Sequence, residues 1–479
     1  MRKKLTRIIE HLDAQFKERE EEIKGLLLGM IAGEHVLLFG PPGTAKSLLV
    51  RTIGQVFGGK SFFTYLLTRF STPEEIFGPL SITALEDDRY ERKIDGYLPQ
   101  ADLAFLDEIF KANSSILNSL LMILNEREYR NGVHRITVPL RSLVGASNEL
   151  PEAKQGLEAL YDRFLLRYSM NYLVLQDNFR AVVFKHNPKS ESLSEHITPD
   201  ELLACLEKSD TVTLDLDVES TILIIRKELA ANDIFISDRR WKKIVAVLRI
   251  AAAAEGKSMV DAAHVLLVKH MLWTHPSQRS TIDQLCLRAL VLRSNDLDYL
   301  KEDATKLHSL VEQKQDYIFP YPIYCATSDI DLTSWRQLNN WAKIDTIDSI
   351  TATAGSIKTP MKIPKLFQYL KERQGWDFVL KIADTDRKEY IHSLGRLDIR
   401  LDVLKTFEEE ESKRILTAIE SCIWITETDR QAFKILLEEK KQTFASITDS
   451  LVAIRHILYK EHYIDPHETG LLFKSKDPA

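Results

Sequence analysis

An apolar run, Val36 to Phe39, gives way to Gly40-Pro41-Pro42-Gly43-Thr44-Ala45-Lys46-Ser47 and then to a stretch with helical periodicity. A glycine-rich turn between a strand and a helix start is the setting a phosphate-binding loop requires. Backbone amides and the positive helix end would wrap the β- and γ-phosphates, Lys46 would supply a point charge, and the Ser47 hydroxyl would ligate Mg2+. The general pattern has glycine where Ala45 stands, so the backbone there is expected to suit a residue with a Cβ. Further along, Leu103-Ala104-Phe105-Leu106-Asp107-Glu108 is an apolar strand ending in two carboxylates, the place where open α/β sheets bind ligands. Asp107 would hold Mg2+ and Glu108 would orient and polarise an attacking water. Together the two motifs read as a site that takes ATP·Mg2+ between residues 40 and 47 and hydrolyses it through Asp107 and Glu108.

Other residues could join that chemistry. The run Leu143 to Ala146 is closed by Ser147-Asn148, which places Asn148 to hydrogen-bond the water or the γ-phosphate, or simply to turn the chain. In Leu157-Glu158-Ala159-Leu160-Tyr161-Asp162-Arg163-Phe164 an arginine follows an acid, and a local salt bridge to Asp162 or Glu158 accounts for it without function. Arg239 and Arg240 fall in the first turn of a helix capped by Ser237-Asp238, where two cations oppose the macrodipole. A bound phosphate would offset that cost; a solvated pair would bear it. Glu128 to Arg135 reads as a hairpin around Asn131-Gly132 with Arg127, Arg130 and Arg135 at its tip, either solvated or touching nucleic acid or polypeptide.

Positioning these groups requires strands whose carboxyl ends converge. Short apolar runs at 36–39, 62–66, 103–106, 143–146 and 165–170 alternate with helical stretches such as 47–57 and 115–125. That alternation predicts an α/β fold with a mostly parallel sheet covered on both faces. An amphipathic leader over 5–31, broken near its middle, precedes it. From 181 to 275 the pattern predicts an all-helical unit, with a loop at 188–194 and a strong helix from Arg239 to Ala254. Beyond Pro276 the reading is a helix over 280–314, a β-rich stretch over 317–401 with runs such as 362–367, and helices over 404–421 and 429–463 joined at 424–426. The expected division is 1–180, 181–275, a helical bundle of 276–316 with 402–463, the inserted 317–401, and a tail 464–479.

The 479 residues, 44% of them hydrophobic, suffice for about three domains at roughly 150 residues each. With 64 basic and 70 acidic residues the formal charge is −6, so there is no global basic field for nucleic acid or anionic membrane. Cys205, Cys286, Cys325 and Cys422 lie far apart without a CxxC pair, which suggests neither a zinc site nor a disulfide framework but buried thiols in a reducing cytosol. The basic start Met1-Arg2-Lys3-Lys4 leads into Glu10, Asp13 and a charged run rather than an apolar core, and no segment approaches the ~18 apolar residues needed to span a bilayer. The expectation is a cytoplasmic protein with no transmembrane segment.

These strings resemble the AAA+ superfamily and, within it, the MoxR family of ATPases, nearest its RavA subgroup. The resemblance is carried by Phe39 to Ser47, Thr68-Arg69-Phe70-Ser71-Thr72-Pro73-Glu74-Glu75-Ile76-Phe77-Gly78-Pro79-Leu80, Phe105 to Ile109, Ala146 to Pro151, Glu158 to Arg163 and Ser237 to Lys243. It is dense over residues 1–275 and architectural beyond. It implies Walker A at Gly40 to Ser47, with alanine tolerated at Ala45, Walker B at Asp107 and Glu108, and sensor 1 at Asn148. It also implies an arginine finger at Arg163 acting on the neighbouring subunit, and sensor 2 at Arg239 or its neighbour Arg240. An insert is expected between about Leu80 and Leu98, and the hairpin at Asn131-Gly132 fits the one the family carries before sensor 1. The region after the helical lid is expected to be a helical bundle interrupted by a small β-rich domain.

Function follows as expectation. A homo-hexameric ring would share its active sites between subunits, Arg239 would couple the γ-phosphate to the angle between α/β core and lid, and the ring would remodel a protein client with a separate von Willebrand factor A domain partner. Two other readings compete. One is a nucleic-acid motor, suggested by the hairpin arginines and opposed by the net charge. The other is a nucleotide-gated scaffold that docks a metabolic enzyme on the β-rich segment.

Overall fold

The computed structural model describes residues 1–58, 61–150, 157–184, 195–291, 296–313 and 384–459, and between 316 and 381 the backbone of short strands. Helices α1 (Arg2–Gln15) and α2 (Glu20–Ala32) precede β1 (His35–Phe39), the leader breaking between them as its periodicity predicts. There follow α3 (Lys46–Val56), β2 (Phe62–Leu66), short α4 (Pro73–Phe77) and α5 (Ile82–Glu86), and β3 (Leu103–Asp107). Next come α6 (Ser114–Glu126), the hairpin of β4 (Glu128–Asn131) and β5 (His134–Thr137), β6 (Ser142–Ser147), α7 (Glu158–Arg163), β7 (Phe164–Ser169) and α8 (Gln176–Val183).

Five strands form one parallel sheet in the order β2-β3-β6-β1-β7. Period-two alternation explains why both faces are covered. Val36 and Leu38, Leu103 and Phe105, and Val144 and Ala146 enter one core with α2, α3 and the following helices. Leu37, Ala104, Leu106 and Leu143 enter the other, with α4, α6 and the hairpin. Because the strands run parallel, the loop after β1, Asp107 at the end of β3 and the turn after β6 leave from a single edge, with Phe39 directly opposite Ser147.

The unit expected over 181–275 contains α9 (Pro199–Thr211), α10 (Leu216–Ala231), α11 (Asp238–Ala254), short α12 (Ala262–Val265) and α13 (Lys269–Leu272), and leads into α14 (Arg279–Val291). It is not purely helical: β8 (Thr213–Leu214) and β9 (Met259–Val260) form a two-residue parallel ladder, too short to leave a periodic signal. Ser237 caps α11, its hydroxyl accepting from the Arg240 amide.

By contacts the chain divides into Met1–Arg293 with Glu411–Glu438, and Ser294–Glu410 with Glu439–Ala479. In the first, Trp424, Ile425 and Phe433 join the same core as α2 and α11. In the second, Leu297, Leu300, Ala304, Leu307 and Val311 of α15 (Asp296–Gln313) pack with Leu394, Leu397 and Leu401 and with Phe444, Ile447, Leu451, Ile454 and Leu458. The alternating three- and four-residue spacing is that of a coiled-coil seam.

Two expectations need correction here. The helix expected from 404 begins at Asp384 and runs to Ser421, so 384–401 is helical rather than β-rich; the seam at Leu394, Leu397 and Leu401 was masked by averaging composition over a longer stretch. The helix expected over 280–314 is two helices, Arg279–Val291 and Asp296–Gln313. The last helix spans Glu427–Tyr459. Strands at Ser349–Ala354 and Ile357–Lys362 pair antiparallel within the β-rich stretch. The loop 188–194, most of the run 362–367 and the tail 464–479 lie outside the described residues. Among the described residues no helix is long and apolar enough to cross a membrane.

Candidate active site

The loop after β1 is shaped by backbone that ordinary residues resist. A Cβ on Gly40 (φ 152°) would stand 2.1 Å from the Met170 carbonyl oxygen, and Gly43 sits at φ 79°. Ala45, at φ 64°, is left-handed as well. The expectation that the backbone there would suit a Cβ is therefore wrong: the loop keeps the glycine conformation and Ala45 bears a strain of about 1 kcal/mol. Lys46 opens α3 with its ammonium buried, donating to the carbonyl oxygens of Gly40 (2.8 Å) and Pro41 (2.9 Å), with the Asn148 side-chain oxygen 3.4 Å away. Burial lowers its pKa, and Asp107 and Glu108 oppose that shift. Its bonds all run to neutral oxygens, which leaves a buried cation facing a nest of loop backbone, a fit for phosphate.

Asp107 ends β3 with one carboxylate oxygen accepting from the Ser47 hydroxyl at 3.1 Å and the other from the Glu108 amide at 3.0 Å. A hydroxyl paired with a carboxylate beside the phosphate cradle is a donor set suited to Mg2+. Glu108 occupies left-handed backbone (φ 53°, ψ 43°), a strain that a non-glycine residue carries at functional positions. Its Oε1 accepts from Asn148 Nδ2 at 2.7 Å and its Oε2 lies 3.4 Å from Lys111 Nζ. Gly40 to Ser47, Asp107, Glu108 and Asn148 are thus brought together at the carboxyl edge. Lys111 was missed; the opposite charge three residues after Glu108 was the available signal.

The arginines lie elsewhere. Arg163 immediately precedes β7, whose Phe164 pairs with His35 at the start of β1, whereas the phosphate loop follows Phe39 at its end. At about 3.3 Å per residue, that strand separates them by roughly 13 Å and puts Arg163 at the amino edge of the sheet. There a cavity of about 140 Å3 is lined by Arg127, Arg163, Arg239, Arg240 and Lys243 with Asp162 the one acid. The Arg163 Nε is buried without a hydrogen-bond partner, and its Nη1 is 3.7 Å from Asp162. Arg239 is exposed.

Arg240 differs from its neighbour. It is buried, and donates to the carbonyl oxygens of Met271 (2.7 Å), Leu165 (2.8 Å) and Phe164 (3.2 Å), with Asp162 Oδ1 at 3.5 Å. Burial, reinforced by Arg167, pulls its pKa down to about 9. Its cost against the helix macrodipole is met by carbonyls and Asp162, with no ligand needed. Arg167 stacks over the Tyr161 ring at 4.1 Å, and the Tyr161 hydroxyl donates to the Thr274 carbonyl at 2.6 Å. The element carrying Arg163 is thereby bonded to the helical lid. Arg239 shares the amino-edge cavity with Arg163. The hairpin forms at Asn131-Gly132 with Arg130 and Arg135 exposed, but Arg127 is not at its tip: it donates to the carbonyls of Gly33 and Arg141.

Residues 3–205 match the family described as the MoxR domain in the MoxR-vWA-beta-propeller ternary systems, and residues 217–286 match an AAA lid domain. Two proteins of Methanocaldococcus jannaschii, each carrying the name uncharacterized protein, are similar over long spans. MJ0079 is 37% identical over 369 residues, covering 72% of this chain and 94% of its own, and MJ0812 is 41% identical over 280 residues, covering 57% and 72%. Chaperone MoxR1 of Mycobacterium tuberculosis is 26% identical over 193 residues, 40% of this chain and 50% of that one. A parallel sheet with the phosphate loop and carboxylates at its carboxyl edge, followed by a lid, agrees with these matches, and the chain belongs to the MoxR family of AAA+ ATPases.

Proposed function

We propose that this chain is a RavA-like ATPase subunit that hydrolyses ATP in a homo-hexameric ring, with Arg163 and Arg239 completing the site of the neighbouring subunit. The observation that carries this reading is the separation of the hydrolytic groups between two edges of one sheet. A head-to-tail contact brings the amino edge of one copy to the carboxyl edge of the next, and such a contact closes into a ring when the rotation permits.

Within the site, the loop amides and Lys46 bind and orient the phosphates, giving up the carbonyls of Gly40 and Pro41 that Lys46 now holds. Ser47 and Asp107 would hold Mg2+, which supplies neutralising charge on the phosphate oxygens. Glu108 takes the proton of the attacking water after release from Asn148, and Asn148, within reach of both Glu108 and Lys46, ties the base to the phosphate site. Arg163 of the adjacent copy stabilises charge on the transferring phosphoryl group. Because α7 is bonded to the lid, hydrolysis in one subunit moves the lid of its neighbour, and that motion does the work on a protein client. The family description and the MoxR1 chaperone support a client-directed role with a von Willebrand factor A domain partner.

The test mixes Lys46→Ala with Arg163→Ala subunits. Each alone should be nearly inactive, and the mixture should regain activity at subunits pairing an intact loop with an intact finger. Full-rate hydrolysis by a monomer would overturn the reading. A co-purification that recovers only the ATPase, with and without nucleotide, would count against the partner.

A further inference from the structure

Away from the nucleotide, three side chains that the sequence keeps far apart come together in the first unit. Glu255 closes α11, His264 lies in α12, and Cys422 follows the helix that ends at Ser421. All three are buried, and one ligand atom from each lies within 4.8 Å of the other two. His264 Nε2 is buried without a hydrogen-bond partner and faces Glu255 Oε2 at 3.7 Å, the oxygen that Lys257 Nζ approaches to 2.6 Å. Buried polar atoms are almost always satisfied, so that imidazole nitrogen calls for an occupant.

The surroundings fit a metal ion better than a proton. His264 Nδ1 lies 2.8 Å from Asp261 Oδ1 and 3.3 Å from the Asp261 amide nitrogen; with the nearer carboxylate as its partner the imidazole is oriented as a ligand and Nε2 is free to bind. A proton on Nε2 would be too far from Glu255 for a hydrogen bond. A cation also satisfies the charge. Lys257 sits 2.6 Å from Glu255 and 2.7 Å from Asp261, which leaves two carboxylates against one ammonium. A divalent cation bound with Cys422 as thiolate brings that buried group to neutrality. The mixed sulfur, nitrogen and oxygen donors suit Zn2+ among common divalent ions. Zinc bond lengths of about 2.0–2.3 Å put ligand atoms roughly 3.3–3.6 Å apart; the His264–Glu255 separation of 3.7 Å is within a few tenths of an ångström of that, and the thiol needs to close by at most about 1.5 Å.

We infer that Glu255, His264 and Cys422 bind a zinc-class divalent cation, held in orientation by Asp261, which staples the end of lid helix α11 to the turn between the two long C-terminal helices. That turn is already seated on the lid through the Ile423 amide on Glu255 (2.8 Å) and the Trp424 indole on the Ala251 carbonyl (3.0 Å). The cation joins elements that otherwise meet through apolar packing and a few hydrogen bonds.

The experiment uses the full chain, reduced and stripped with chelator, without nucleotide. Zn2+ alone is titrated against a chromophoric competitor, and Co2+ serves as a spectroscopic probe. The expected result is one tight equivalent per chain, a thiolate-to-cobalt charge-transfer band, and a melting temperature raised by Zn2+. Cys422→Ala should abolish the band and the thermal shift, and His264→Gln should weaken uptake at least tenfold. Cys286→Ala, which removes another buried thiol, should leave both intact and shows that a folded cysteine variant still binds. Circular dichroism before metal addition confirms that each variant is folded. Cobalt uptake without a thiolate band, or zinc uptake unchanged by Cys422→Ala and His264→Gln, would overturn the proposal, as would the absence of tight uptake.

Discussion

At the carboxyl edge of the central sheet, Lys46, Ser47, Asp107, Glu108 and Asn148 bond to one another, while at the amino edge Arg163 has a buried Nε with no partner and Arg239 lies in solvent. The first set is organised within one chain. The second lies in a cavity with an excess of cations, beside an Arg240 that is bonded to backbone carbonyls. Groups bonded to one another within the chain form a preorganised site, whereas groups left without partners are available to a ligand or, as proposed above, to another copy of the chain. Two adjacent arginines also have unlike surroundings: Arg240 is bonded to the carbonyls of Phe164, Leu165 and Met271, and Arg239 is exposed.

Substitution at the amino edge should have the largest effect. If Arg163 acts as the arginine finger proposed above, Arg163→Ala lowers ATP hydrolysis by about 10^3-fold or more with nucleotide affinity little changed. A steady-state rate within a few-fold of wild type would dissolve the distinction between the edges. At the carboxyl edge, Glu108→Gln should reduce the rate by roughly 10^2- to 10^4-fold while ATP binding survives, measured by fluorescent-nucleotide titration alongside turnover.

The contrast within the arginine pair is sharper in stability than in rate. Arg240→Met strands the carbonyls of Leu165 and Met271 and should destabilise the chain by about 2–4 kcal/mol in urea unfolding, whereas Arg239→Ala should change stability by less than about 0.5 kcal/mol and act on hydrolysis alone. Equal destabilisation by the two would show that both are structural. The smallest effect is expected in the loop: Ala45→Gly relieves left-handed strain, so stability should rise or hold within about 1 kcal/mol of wild type, with the gain offset by chain entropy. A marked loss would mean that the alanine methyl is needed for packing.

Much of the fold could be read along the chain. The five sheet strands were each announced by an apolar run, and the phosphate loop by glycines in register with lysine and serine. The helix over 384–401 was not, because its seam of Leu394, Leu397 and Leu401 is sparse among charges and emerges only beside the matching seams of two other helices. The role of Arg127 was misread for a similar reason: its place next to the hairpin suggested the tip, but its partners, Gly33 and Arg141, come from other segments.

Residues adjacent in the chain determined the phosphate loop, the paired carboxylates and the succession of the five sheet strands, since a glycine-rich turn and strand alternation are local signals. Only the tertiary structure decided which edge of the sheet each arginine serves, that Arg240 is consumed by backbone carbonyls, and that Glu255, His264 and Cys422 meet. Those outcomes rest on burial and on partners contributed by distant segments, and a buried charge or an unpaired imidazole nitrogen acquires its meaning from what surrounds it in space.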